Sequence, residues 1–154
     1  MSADVKLAPD EVVARYVGGS HFDSATGQIN GSAFERTPKD HDGVSFTRRS
    51  ILANNQDEDR DEIRRVVGSR LKLGLSAVFA ELEVGRTLSI LEEFESDIFY
   101  KEDPLSAEGP YLANPAHALL IGFPFKGEQV GSLKSEVAGD RIRQCIIDRF
   151  PAVP

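Results

Sequence analysis

Apolar positions fall into short runs whose period shifts from two to nearly four and back. Val12-Val13-Ala14-Arg15-Tyr16-Val17 is β-branched and aromatic and closes on Gly18-Gly19, which predicts a first strand. From Gln28 to Phe34, Ile29, Gly31 and Ala33 alternate with Asn30, Ser32 and Phe34, predicting a second. Val44-Ser45-Phe46-Thr47-Arg48 predicts a third, beside the second. Between them Thr37-Pro38-Lys39-Asp40-His41-Asp42-Gly43 carries the proline and Asp-Gly of a connecting loop. From Asp57 to Leu71 the period becomes helical, with Ile63, Val66, Val67 and Leu71 on one stripe. Carboxylates crowd the first turns while Arg64, Arg65 and Arg70 follow, an order that complements the helix dipole, and Asn54 or Asn55 stands ready to cap it. This charge run reads as a solvated helix face.

Leu75 to Val84 returns to strand spacing, with Glu81 and Glu83 turned away from Val78, Ala80, Leu82 and Val84 as surface residues. Gly85 to Leu91 predicts a short helix, and Phe94 to Lys101 a strand ending at Glu102-Asp103-Pro104. A loop from Leu105 to Pro115 leads to a strand that begins at His117. Ser135 to Phe150 predicts a second main helix, with Ala138, Ile142, Cys145, Ile146 and Phe150 inward and Pro151 stopping it. Strands in runs, rather than strict alternation with helices, predict one α+β domain over residues 1–154: a mixed, mostly antiparallel sheet of five or six strands with two main helices on one face. A doubly wound parallel fold is disfavoured because no helix separates the first three strands.

At 154 residues the chain is long enough for one real core. A net charge of −7 makes nucleic acid an improbable partner, since such proteins neutralise phosphates with cations. Cys145 is the only cysteine, so an internal disulfide and a cysteine-rich zinc site are both excluded, and its place on an apolar stripe reads as a buried inert thiol. The longest mostly apolar run, Ala118 to Phe125, is broken by Gly122 and Pro124 and falls far short of the ~18 residues of a membrane span. The first residues lack a basic region followed by an apolar one, so no signal peptide is expected and the location is expected to be cytoplasmic.

Chemistry concentrates at Asn114-Pro115-Ala116-His117-Ala118, where a proline-stiffened turn delivers one imidazole to a strand apolar on both faces. Histidine titrates nearest neutral pH, so His117 is the candidate general acid or base, sharing a face with Leu119, Ile121 and Phe123. Arg15 and Ser45 are the candidates to complete its pocket: arginine offers a fork for phosphate or carboxylate, and serine can donate to a bound oxygen, as in sites that handle nucleotides or NAD. Such a site would take a small-molecule ligand. His21-Phe22-Asp23 and Asp40-His41-Asp42 each bring nitrogen and carboxylate together, which makes a metal-dependent hydrolase using His21, His41 and His117 a third possibility. Both clusters lie in expected turns and lack the His-x-x-x-His spacing, so neither a metal nor a cofactor is expected. Gly122-Phe-Pro-Phe-Lys-Gly127 has the glycine spacing of a phosphate loop, but Glu128 stands where lysine is needed and Pro124 removes an amide donor. Glu81 and Glu83 could pass for the paired carboxylates of a glycosidase, but no tryptophan is present to stack a sugar.

Ala33-Phe34, Asp42-Gly43-Val44-Ser45-Phe46, Asp103-Pro104 and Asn114-Pro115-Ala116-His117-Ala118 form an ordered series. In it the chain resembles, over residues 12 to 123, a family of small bacterial proteins with the same succession. No activity is known for that family, so the resemblance implies no catalytic residues. It does imply a bacterial cytosolic origin, and that Ser45 and His117 act together. The leading expectation is therefore a small accessory or binding protein working with a protein partner encoded nearby. The alternatives are a small enzyme or nucleotide-binding module using His117, Ser45 and Arg15, and the metal-dependent hydrolase.

Overall fold

Val12–Val17 (β1), the first strand in sequence, lies inside the sheet rather than at its edge. The computed structural model describes residues 4–34, 43–93, 97–122 and 129–154. The elements that follow are Phe22–Asp23 (β2), Gln28–Ile29 (β3), Val44–Arg48 (β4), Gln56–Gly68 (α1), Val78–Glu83 (β5) and Val84–Leu91 (α2). Phe99–Glu102 (β6), His117–Ile121 (β7), Gln129–Arg143 (α3) and Ile146–Pro151 (β8) complete them. Six strands form one sheet in the order β6-β7-β4-β1-β5-β8, every neighbouring pair antiparallel, while β2 and β3 form a separate hairpin. The chain is a single α+β domain, as its pattern predicts, with no parallel pair among the described strands.

Strand alternation sends side chains into two cores. Val13, Val17, Val44, Phe46, Ala80, Leu82, Ala118 and Leu120 face α2 and α3, meeting Leu91, Ala138, Ile142 and Cys145. Ala14 and Phe79 face the other way, meeting Ile63 of α1 together with Phe150 and Ala152. The helices therefore cover both faces of the sheet, not one. Each large side chain buried in these layers stabilises the fold by about 1.5–3 kcal/mol before the entropy of ordering it is subtracted. Asn55 caps α1, its side-chain oxygen accepting from the Glu58 N–H at 2.8 Å, and Ser69 closes the last turn.

Four expectations change. After Ile29 the chain leaves strand geometry, and Gly31–Phe34 coils into a 3-10 turn that buries both Ala33 and Phe34. Gly31 touches the backbone of α3, where a Cβ would stand 2.7 Å from the Asp140 nitrogen. Val44–Arg48 accordingly pairs with β1 and β7, not with the Gln28 segment. The helix expected over Ser135 to Phe150 ends at Arg143, and Ile146–Pro151 is an edge strand on β5. Ile142, Ile146 and Phe150 keep helical spacing across the junction, so the pattern runs straight through a chain reversal. Pro151 lacks an N–H, which an edge strand tolerates. The strand expected from Phe94 begins at Phe99, and residues 94–96 lie outside the described residues. So do the Thr37 to Asp42 part of the connecting loop and the Phe123 to Glu128 segment. No helix among the described residues is long and apolar enough to cross a membrane.

Candidate functional site

His117 is placed by a local turn and a cross-strand row. Its N–H donates to the Asn114 carbonyl at 3.3 Å, with Pro115 fixing the turn between them, and the buried Asn114 side chain accepts from the Ala116 N–H at 3.1 Å. Thr47 on β4 stands opposite His117. The Arg48 N–H donates to the Ala116 carbonyl at 2.8 Å, which makes Thr47–His117 a non-hydrogen-bonded pair, the kind with the closer side chains. On the other side Asp103 continues the β6 register, its N–H donating to the His117 carbonyl at 2.9 Å. Asp103, His117 and Thr47 thus lie in one row on the α1 side of the sheet, and Ala14, Glu81 and Asp148 extend it to β8.

The row settles which ring nitrogen carries the proton. His117 Nδ1 lies 2.9 Å from the Asp103 carbonyl oxygen and 3.0 Å from its carboxylate. A carbonyl can only accept, so Nδ1 must donate, and in the neutral ring Nε2 then holds a lone pair. Among the described residues Nε2 has no partner. The ring is largely covered, with 12% of the side chain exposed.

Beside it opens a cavity of about 380 Å³, within the usual range for small-molecule sites. Its floor is the sheet, through Ala14, Tyr16, Ser45, Thr47, Phe79 and His117. Val67, Arg70 and Leu71 at the end of α1 form one wall, and Leu105 and Asn114 form another. Those last two belong to an arm that doubles back on itself: Leu105 pairs with Asn114 and Glu108 with Tyr111, around a tip where Gly109 takes φ +57° before Pro110. The arm is moored to α1, because Ser69 Oγ accepts from the Leu112 N–H at 3.0 Å and Arg70 Nη2 donates to the Ser106 and Leu112 carbonyls at 3.1 Å each.

Of the residues the sequence nominates, His117, Ser45 and Arg15 all line this cavity, but alternation along β1 turns the side chain of Arg15 to the opposite face of the sheet. Arg15 alternates with Val13 and Val17 toward α3. Its Nε donates to the Ala33 carbonyl at 2.7 Å and its Nη1 to the Ser45 carbonyl at 2.8 Å. Only the main chain of Ser45 meets Arg15, and the side chain of Ser45 is exposed on the His117 side. His21 is also remote, its Nδ1 2.8 Å from Ser32 Oγ beside the small hairpin. His41 lies outside the described residues. Among the described residues no three metal-ligating side chains gather in one place.

The far end of the row is charged, and there two surface assignments fail. Glu81 and Asp59 are buried. Glu81 bonds both Arg49 and Arg60, while Arg49 also pairs with Asp59. Asp59 accepts from the Ser50 N–H at 2.9 Å and the Ala53 N–H at 3.3 Å, holding the turn where Ser50 adopts φ +67°. Arg60 reaches Asp148 at 3.0 Å, and Arg60 and Arg64 lie 4.9 and 5.1 Å from the Phe150 ring. Burial works against the Arg60 charge, but Glu81 and Asp148 outweigh it and hold its pKa above the ordinary value. The acidic start of α1 is thus partly an anchor rather than a solvated face, whereas Glu83 does point to solvent.

Asp103, Thr47 and Arg70 are site residues to which the sequence gives no site role, Asp103 figuring there only in the Asp103-Pro104 turn. Arg70 left a trace: it stands seven residues after Ile63 and three after Val67, so a cation occupies the continuation of an apolar stripe. No family model, curated protein or solved structure matches the chain.

Proposed function

We propose that the protein is a small enzyme that seats a small molecule in this cavity and uses Nε2 of His117 as the proton-accepting group toward it. The supporting observation is the bond from Nδ1 to the Asp103 carbonyl, which fixes the tautomer and leaves Nε2 without a partner among the described residues, beside an open space. Asp103 acts as the orienting group, and its carboxylate can stabilise the imidazolium that forms when Nε2 takes a proton. Thr47 and Ser45 supply hydroxyls on the same floor to hold a bound oxygen. Arg15, which also lines the cavity, braces the floor from the opposite face by donating to the Ser45 carbonyl. A bacterial cytosolic setting, implied by the resemblance, remains part of the proposal.

A metabolite panel read by melting temperature tests it. Compounds that stabilise the wild-type protein should lose that shift in His117→Ala, while Asp103→Asn should weaken it without abolishing it. Hits whose shift survives in His117→Ala would remove the histidine from the mechanism. A second reading, an accessory protein acting with a protein partner, draws on Leu75, which is 88% exposed, and on Leu71 and Tyr111, which are exposed near the cavity. That reading expects the chain to elute from a native extract at a larger size than when pure, and to return to the smaller size in Leu75→Ser.

A further inference from the structure

Arg70 is the cation in the cavity wall whose charge no carboxylate answers among the described residues. The other arginines packed around α1 and the neighbouring strands are paired: Arg48 with Glu11, Arg49 with Asp59, Arg60 with Glu81 and Arg64 with Asp61. Arg70 is held by dipoles alone. Its Nη2 is used on the two arm carbonyls, its guanidinium lies 5.4 Å from the Tyr111 ring, and its Nε is buried without an acceptor. A half-buried cation without a counter-ion is costly, and an anion brought by a ligand relieves that cost. The fork is also already oriented, because three contacts fix its plane before anything binds.

Resting on the reading that the cavity holds a small molecule, we propose that this molecule is a carboxylate on an apolar body. The carboxylate sits on Nη1 of Arg70, since Nη2 is used on the arm and Nε is covered, and the body lies against Val67, Phe79 and Leu105. A monoanion suits the site better than a phosphate dianion for three reasons. One guanidinium answers one charge. The end of α1 that lines the cavity is its C-terminus, the negative pole of the helix dipole. The chain as a whole carries −7. The carboxylate on Arg70 leaves His117 Nε2 to face another part of the same ligand.

Three probes of one shape distinguish the outcomes: phenylacetate, phenylacetamide and phenyl phosphate, titrated into the ¹⁵N-labelled full chain and followed by amide shifts. Phenylacetate should move the signals of Arg70, Leu105 and His117 and bind about tenfold or more tighter than the amide, the factor expected of one charge-assisted hydrogen bond. Arg70→Gln should erase that preference, and Arg70→Lys, which keeps the charge but not the fork, should retain part of it. Equal binding of acid and amide by the wild-type protein would overturn the carboxylate assignment and leave the cavity reading standing. Tighter binding of phenyl phosphate than of phenylacetate would also overturn it. If none of the three moves any cavity signal, the small-molecule reading falls and this inference with it. The wild-type comparison stands even if both Arg70 variants loosen the arm they anchor.

Discussion

The tautomer of His117 depends on a main-chain atom, so it survives a change in the side chain beside it. Asp103→Asn leaves the carbonyl acceptor in place, and the melting temperature should move by only a few degrees, since a single partly exposed contact is at stake. The carboxylate is lost, and any activity that needs the imidazolium should fall more than stability does; comparing melting with turnover or ligand affinity checks the split. Cys145 gives a second expectation at this scale. Its thiol is buried and donates to the Arg141 carbonyl at 3.5 Å, and burial pushes its pKa up against a weaker pull from Arg86. A thiol reagent should leave it unmodified in the native protein and modify one equivalent after unfolding. At this scale the sequence revealed His117, because Asn-Pro-Ala-His has its own turn chemistry. It could not reveal Asp103, which meets His117 only through the pairing of β6 with β7. Arg15 shows a related limit: it lines the cavity, but alternation within one strand does not say which face matches which face of the next, so the direction of its side chain could not be read.

Among the elements, α1 is tied to the sheet by charge as well as by its apolar stripe. Glu81→Ala would leave Arg49 and Arg60 facing each other with a buried partner gone, and the loss should be about 3–5 kcal/mol, read as a fall in the urea midpoint. A similar test applies to the 3-10 turn under α3. Gly31→Ala places a methyl against the backbone at Gly139 and Asp140, and helix backbone cannot step aside as a side chain can. Destabilisation of about 1–3 kcal/mol is expected from such overpacking. Both features were hidden in the sequence. Glu81 and Glu83 have the same parity, and only the position of α1 decides that one is covered and the other is not. Ile142, Ile146 and Phe150 keep a helix period across a point where the chain turns back, and only the open edge of β5 explains why a strand follows. The helix over Gln56–Gly68 and the short helix after β5 were legible, since caps, dipole order and apolar stripe agreed there.

For the whole molecule, the sheet ends on an edge strand whose Asp148 ties it to α1. Its pKa is held below the ordinary 3.8, first by the Arg149 N–H and then by Arg60. A depressed folded pKa adds stability that is complete above the unfolded value and is lost as the pH falls through the folded one. The fold should therefore weaken below about pH 4, and the drop in urea midpoint between pH 7 and pH 3 should be smaller in Asp148→Asn. Fold class was readable at this scale because strands without intervening helices disfavour a parallel winding. Sheet order was not, since β1 could have ended at an edge on the same pattern.

That interior place for β1 has a consequence for biosynthesis. On the ribosome Val12–Val17 emerges before either of its neighbours, which end at Arg48 and Glu83, so both its flanks stay unsatisfied while the nascent chain lengthens. The farther neighbour is in turn completed by a strand that runs to Pro151, far beyond it in sequence. Completion of the sheet is thereby deferred until Ile146–Pro151 has been made, and a stop codon ahead of that strand should yield a product that goes to chaperones and proteases, not a smaller working protein.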